Sequence, residues 1–179
     1  MRYLSVGVCL VCLMGPCRPA AAQHGIRATR VRAESADMAA LLDAGASRSA
    51  TVRSLIEEIE QSDVIVYIRT RLFPSQRLDG RIGFLGTTSK TRFLAIELAC
   101  VRTRDHQIAT LAHELQHAAE IARAPWVVGA ATLAQYYSQI GGRVDAEAGV
   151  RTFETDAARI VAARVRREIW AGGLAAEHR

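Results

Sequence analysis

Residues 92–117 read RFLAIELACVRTRDHQIATLAHELQH, and the periodicity changes midway through this stretch. Over 92–100 the side chains alternate. Phe93, Ala95, Glu97 and Ala99 fall on one side, and Leu94, Ile96 and Leu98 on the other, the period-2 pattern of a strand. Beyond Cys100, Thr103 or Asp105 can cap a helix that runs to about Arg123 and is stopped by Pro125. A strand leading directly into a long helix is therefore the centre of the fold.

Upstream, 81–86 reads as a second strand, joined to the first by the polar turn 87–91. Before it lies a loop over 73–80, with Pro74 and Asp79-Gly80 at its ends. Val64-Ile65-Val66-Tyr67-Ile68 is β-branched and aromatic, a third strand. Over 49–61, Val52, Leu55, Ile56 and Ile59 recur at helical spacing, and 34–43 reads as a short helix stopped near Gly45. Downstream, 126–140 reads as an apolar helix closed by Gly141-Gly142, and 145–170 as another closed by Gly172-Gly173. The expected class is α+β: a small three-stranded sheet preceded by a helix and followed by three helices. Residues 34–174 form one domain in this reading, with a loose N-terminal tail over 23–33 and a C-terminal tail over 175–179.

The chain has 179 residues, half of them hydrophobic, which suits one core of ordinary size rather than a disordered chain. Its formal charge is +5, but the basic residues, all arginine except Lys90, are scattered rather than clustered. That argues against a nucleic-acid partner. Arg2, the apolar run over 3–14, Gly15-Pro16 and Ala20-Ala21-Ala22 have the layout of a secretory signal peptide over 1–22, cleaved before Gln23. The expected location is secreted or periplasmic, with no permanent membrane span. Removing the peptide leaves Cys100 as the one cysteine, so no intramolecular disulfide is expected. Its place at the end of an apolar strand reads as a buried structural thiol.

The chemistry lies in His113-Glu114-Leu115-Gln116-His117, an H-E-x-x-H sequence. Residues four apart on a helix differ by about 40° around the axis and roughly 6 Å along it, so two imidazoles so placed converge on one ion. Glu114, rotated by about 100° from His113, flanks that ion. Zinc there would bring the pKa of its water toward about 7, and Glu114 would take the proton as general base. Composition alone yields such a match with a chance of about 1%. The helical context, the uncharged neighbours Ala112 and Ala118, and the preceding strand raise its weight. The plainer alternative is an incidental His-Glu pair on an exposed helix, or histidines hydrogen-bonded within the core.

At these residues the sequence resembles the zincin clan of metallopeptidases. The resemblance spans the sheet, the motif helix and the helices after it, and only the five-residue motif is sharp. It implies a catalytic zinc, His113 and His117 as ligands, Glu114 as general base, and hydrolysis of peptide bonds in a peptide or protein substrate. It also implies that a strand before the motif helix, 81–86 or 92–100, lines the substrate cleft and offers backbone pairing.

A catalytic zinc keeps three protein ligands and one open position. The metzincin extension fails, because Glu120 stands at its glycine position and Arg123 at its last histidine. A glutamate from elsewhere, as in gluzincins, remains. Glu154 is favoured: an acid beside an apolar stripe on the last expected helix, with a salt bridge to an arginine as the alternative. Glu147, seven residues earlier on the same expected face, and Glu120 stay open. Glu120 sits one turn beyond His117 and better suits a hydrogen bond to an imidazole. Asp156 points elsewhere and can pair with Arg159. Tyr136 and Tyr137 can pack or offer a phenol to an oxyanion. His106 reads as surface, and His24 and His178 lie near the termini. The expected function is a secreted zinc metallopeptidase of gluzincin type. A non-peptidase amide hydrolase, such as one acting on a cell-wall amide, and an envelope-associated non-catalytic binding module are the alternatives.

Overall fold

The computed structural model describes residues 30–74, 78–144 and 152–177. The expected signal peptide, Glu147, His24 and His178 lie outside the described residues. The elements are β1 (Val31–Ala33), α1 (Ala36–Arg48), α2 (Ala50–Glu60), β2 (Val64–Arg71), β3 (Gly80–Thr87), β4 (Arg92–Ala99), α3 (Arg104–Arg123), α4 (Ala130–Ile140), β5 (Gly142–Val144), β6 (Thr152–Glu154) and α5 (Asp156–Glu177). The fold is α+β.

The main sheet has four strands in the order β1-β2-β4-β3. β2 runs parallel to β1 and β4, and β3 closes one edge antiparallel to β4. The expected three strands are present, and Val31–Ala33 adds a fourth inside the segment expected as a loose tail. Three residues, one of them a central arginine, carry little strand signal. The backbone amides of Arg30 and Val31 donate to Glu60 Oε1 at 2.7 and 3.1 Å, and this anchors the segment.

Register places Val66 and Ile68 beside Leu94 and Ile96 on one face of the sheet, with Ile82 and Phe84 continuing it on β3. Leu94, Ile96 and Leu98 are fully buried, each worth about 1.5–3 kcal/mol relative to exposure. The opposite face carries Arg69, Glu97 and Arg81 in register across three strands. The Glu97 carboxylate is buried there among Arg69, Arg71 and Arg81, at 2.7, 2.9 and 2.5 Å.

Helix α3 packs against the sheet, α2 and α5. Alanines and aliphatics cover most of its circumference, as a helix enclosed on nearly all sides requires. Thr103 caps its start, accepting from the His106 amide. Its C-terminus is closed by Arg92, whose side chain is 2% exposed. Arg92 donates to the carbonyls of Ile121, Ala122, Ala124 and Val127 and pairs with Asp63 at 2.6 Å. One guanidinium thus gathers carbonyls at and just beyond the helix end, where the intrahelical donors run out.

Several downstream expectations change, and α5 also runs through Gly172-Gly173, expected to close it, as far as Glu177. The helix expected from residue 126 starts at Ala130, because the Thr132 hydroxyl accepts from the Gly129 amide and fixes the helix start there. The helix expected from 145 starts at Asp156, after the β5–β6 hairpin. Thr155 decides that boundary, since its hydroxyl accepts from the Ala158 amide at 3.1 Å as an N-cap. Cys100 is exposed rather than buried, because β4 ends at Ala99 and the next residue bends away from the sheet. Among the described residues no helix is long and apolar enough to cross a membrane.

Candidate metal centre

Helix α3 presents His113 and His117 one turn apart, with ring centroids 4.9 Å apart at 80°. Glu154 reaches them from the end of β6. Its Oε1 lies 3.2 Å from His113 Nε2 and 3.9 Å from His117 Nε2. One donor atom from each of the three residues falls within 4.8 Å of the others, so the group can hold a metal ion. Tetrahedral coordination with bonds of about 2.0–2.1 Å separates donors by about 3.4 Å, near the 3.2 Å spacing to His113 and shorter than the 3.9 Å spacing to His117. Two imidazole nitrogens and one carboxylate oxygen suit zinc or a similar borderline divalent ion.

The groups behind the donors fix their aim. Glu120 Oε2 lies 2.8 Å from His117 Nδ1. A carboxylate there assigns the ring proton to Nδ1 and leaves the Nε2 lone pair facing Glu154. Glu120 Oε1 in turn accepts from the Thr155 hydroxyl at 2.9 Å and from Gln116 Nε2 at 3.3 Å. The Thr155 amide donates to Glu154 Oε1 at 2.9 Å. Thr155 thus caps α5, ties the hairpin to α3 and orients Glu154. Glu120 does not join the three donors; it buttresses one of them.

Electrostatics agree with a place for a cation. Burial pulls the His113 imidazolium down, but the hydrogen bond to Glu154 and the charges of Glu114, Glu154 and Glu120 outweigh it, and its pKa is raised. Burial pulls Glu154 up, yet His113 and His117 hold its carboxyl below the usual range. Glu120 behaves likewise: burial raises it, and His117, Thr155 and Gln116 bring it below its ordinary value. Glu114 differs. It is 5% exposed, and burial raises its pKa against the pull of His117 and His113. That is the direction a proton acceptor working near neutrality requires.

The remaining sequence candidates take other roles. Glu154 lies on a strand rather than on a helix face, and Glu147 lies outside the described residues. Tyr137 packs edge-on against His117, and its hydroxyl donates to the His117 carbonyl at 3.2 Å. The Tyr136 hydroxyl donates to the Glu120 carbonyl at 3.2 Å. Both phenols are thus committed to the backbone of α3. His106 pairs with Asp79 at 2.7 Å, and Asp156 pairs with Arg159. Sequence reasoning passed over Thr155, although a threonine three residues before Ala158 is an N-cap signal. Gly80, expected to end the 73–80 loop as a turn residue, instead opens β3 in register with Leu98, and nothing in the local sequence marked Gln116.

The chain matches no protein-family model, and no curated protein or solved structure is significantly similar to it.

Proposed function

We propose that this chain is a secreted or periplasmic zinc metallopeptidase of gluzincin type, with His113, His117 and Glu154 as ligands and Glu114 as general base. The convergence of two imidazoles and a carboxylate beside a buried acid of raised pKa carries this reading. His113, His117 and Glu154 would hold a divalent ion, which would supply Lewis acidity toward water and a carbonyl oxygen.

The chain's own residues do the rest. Glu114 takes the proton of the attacking water on its carboxylate and hands it to the leaving amine nitrogen. Glu120 and Thr155 keep His117 and Glu154 in place. Strand β3 supports a peptide as substrate. It is the antiparallel edge of the sheet, and at its start Gly80 leaves no room for a Cβ beside Glu114. Its outer backbone groups suit pairing with an extended chain.

The test is metal analysis of protein purified without chelator, followed by digestion of casein and of peptidoglycan by wild type and Glu114→Gln. The reading expects about one equivalent of zinc, casein cleavage by wild type, and none by Glu114→Gln. Cleavage confined to peptidoglycan would replace peptidase with amide hydrolase. Protein without metal would leave a binding module.

A further inference from the structure

Gly80 opens β3 directly against the middle of α3. A Cβ built on it would lie 2.7 Å from Thr110 Cγ2, 2.9 Å from Glu114 Oε1 and 3.2 Å from Glu114 Cγ. Its φ lies outside the left-handed region, so the constraint is space and not backbone conformation. The backbone there has little freedom to retreat. Gly80 is in register with Leu98, and the Asp79 carbonyl accepts from the Ala99 amide at 2.8 Å. The Asp79 carboxylate is held by Arg102 at 2.5 Å and by His106 of α3 at 2.7 Å. Thr110 is equally fixed, its hydroxyl donating to the His106 carbonyl at 3.0 Å. Of the three atoms nearest a new methyl group, Glu114 Oε1 is the far end of a flexible side chain, and the Thr110 methyl is not.

We propose that Gly80 is a positioning residue: by lacking a side chain it lets the Glu114 carboxylate lie folded against β3 at the height of His113 and His117. This inference rests on the hydrolase reading for its kinetic consequence, and on geometry alone for the placement of the carboxylate. The close approach of Gly80 to Glu114 thereby ties the start of the edge strand to the proton acceptor, beside the Asp79–His106 pair. A side chain at residue 80 turns the acid away, and none of the three atoms nearest its Cβ belongs to His113, His117 or Glu154.

Two clashes must be separated, one with the Thr110 methyl and one with Glu114. The experiment compares Gly80→Ala, Thr110→Ser and the double variant Gly80→Ala/Thr110→Ser. Thr110→Ser removes the Cγ2 methyl and keeps the hydroxyl. Melting temperature, zinc stoichiometry, casein kinetics and crystal structures of the metal-free chains are measured.

The expected result is that the double variant regains most of the stability lost in Gly80→Ala and binds zinc as wild type does. Its kcat stays down by about 100-fold, the order of loss from displacing a reacting group by about 1 Å, while KM changes little. Its metal-free crystal structure shows the Glu114 carboxylate displaced by about 1 Å or more. A carboxylate unmoved in the double variant would overturn the proposal, as would kcat restored to that of Thr110→Ser. The crystallographic readout needs no activity. If wild type neither binds zinc nor cleaves casein, the function fails while the placement of Glu114 is still decided.

Discussion

Glu120 Oε2 and His117 Nδ1 stand 2.8 Å apart, and both residues are almost wholly buried. The pair belongs to a relay that runs from Gln116 and Thr155 through Glu120 to Nδ1 of His117, the nitrogen turned away from Glu154. Removing such a partner of a ligating imidazole typically weakens metal binding by about 10–100-fold. Glu120→Ala should do so without abolishing binding, and competition with a chromogenic chelator would read it. Glu154→Ala should lose far more affinity, because it removes a donor.

Thr155 makes a more particular prediction. Thr155→Val loses the cap of α5 and the hydrogen bond to Glu120 in one step. The cap alone is worth about 1 kcal/mol. The variant should melt at lower temperature and also bind metal more weakly. Thr155→Ser, which keeps the hydroxyl, should restore both.

Arg92 is the keystone of the C-terminal end of α3. Arg92→Met leaves four carbonyls with one donor fewer and strips Asp63 of its partner. The Asp63 side chain is 44% exposed and can turn to solvent, so the main loss is buried carbonyls without this donor, about 1–3 kcal/mol. Arg92→Lys should recover only part of that, since an ammonium lacks the planar fork that reaches several acceptors. Urea denaturation midpoints would measure both.

The Glu97 cluster sets an acid limit. Burial pulls the Glu97 carboxyl up, but hydrogen bonds from Arg69, Arg81 and Arg71 hold it below the ordinary value of 4.5. A carboxyl whose pKa is depressed in the fold contributes stability above its unfolded pKa and loses it as pH falls through the folded value. Stability should therefore decline as pH drops below about 4.5. In Glu97→Gln the decline should be shallower, as read by chemical denaturation at a series of pH values.

Metal itself should act as a stabiliser. A ligand that binds only the folded state adds about 2.7 kcal/mol at a hundredfold excess over its dissociation constant. Chelation should lower the melting temperature of wild type, and zinc should restore it. His113→Ala/His117→Ala should show neither effect.

The parts of this molecule that could be read from sequence are those with local causes. The spacing of His113 and His117 is a property of one helix, and the β2, β4 and α2 patterns repeat within a few residues. What escaped was set from a distance. β1 exists because Glu60 and β2 receive three short residues, and no pattern within Val31-Arg32-Ala33 announces it. The run Phe153-Glu154-Thr155-Asp156 precedes a strongly helical segment, and periodicity extended the helix backwards over it. The structure brings Glu154 beside the histidines, but from a strand end and not from a helix face. Cys100 looked like the end of a buried strand, and the chain turned outward one residue sooner.

Thr155 joins the first turn of α5 to Glu120 and to Glu154. The order in which the chain is synthesised then matters. A nascent polypeptide that has extruded α3 carries a histidine pair but lacks its third donor and half of the Glu120 relay. Chains cut short before residue 152 have the signature sequence and only two of the three residues that could hold a metal ion.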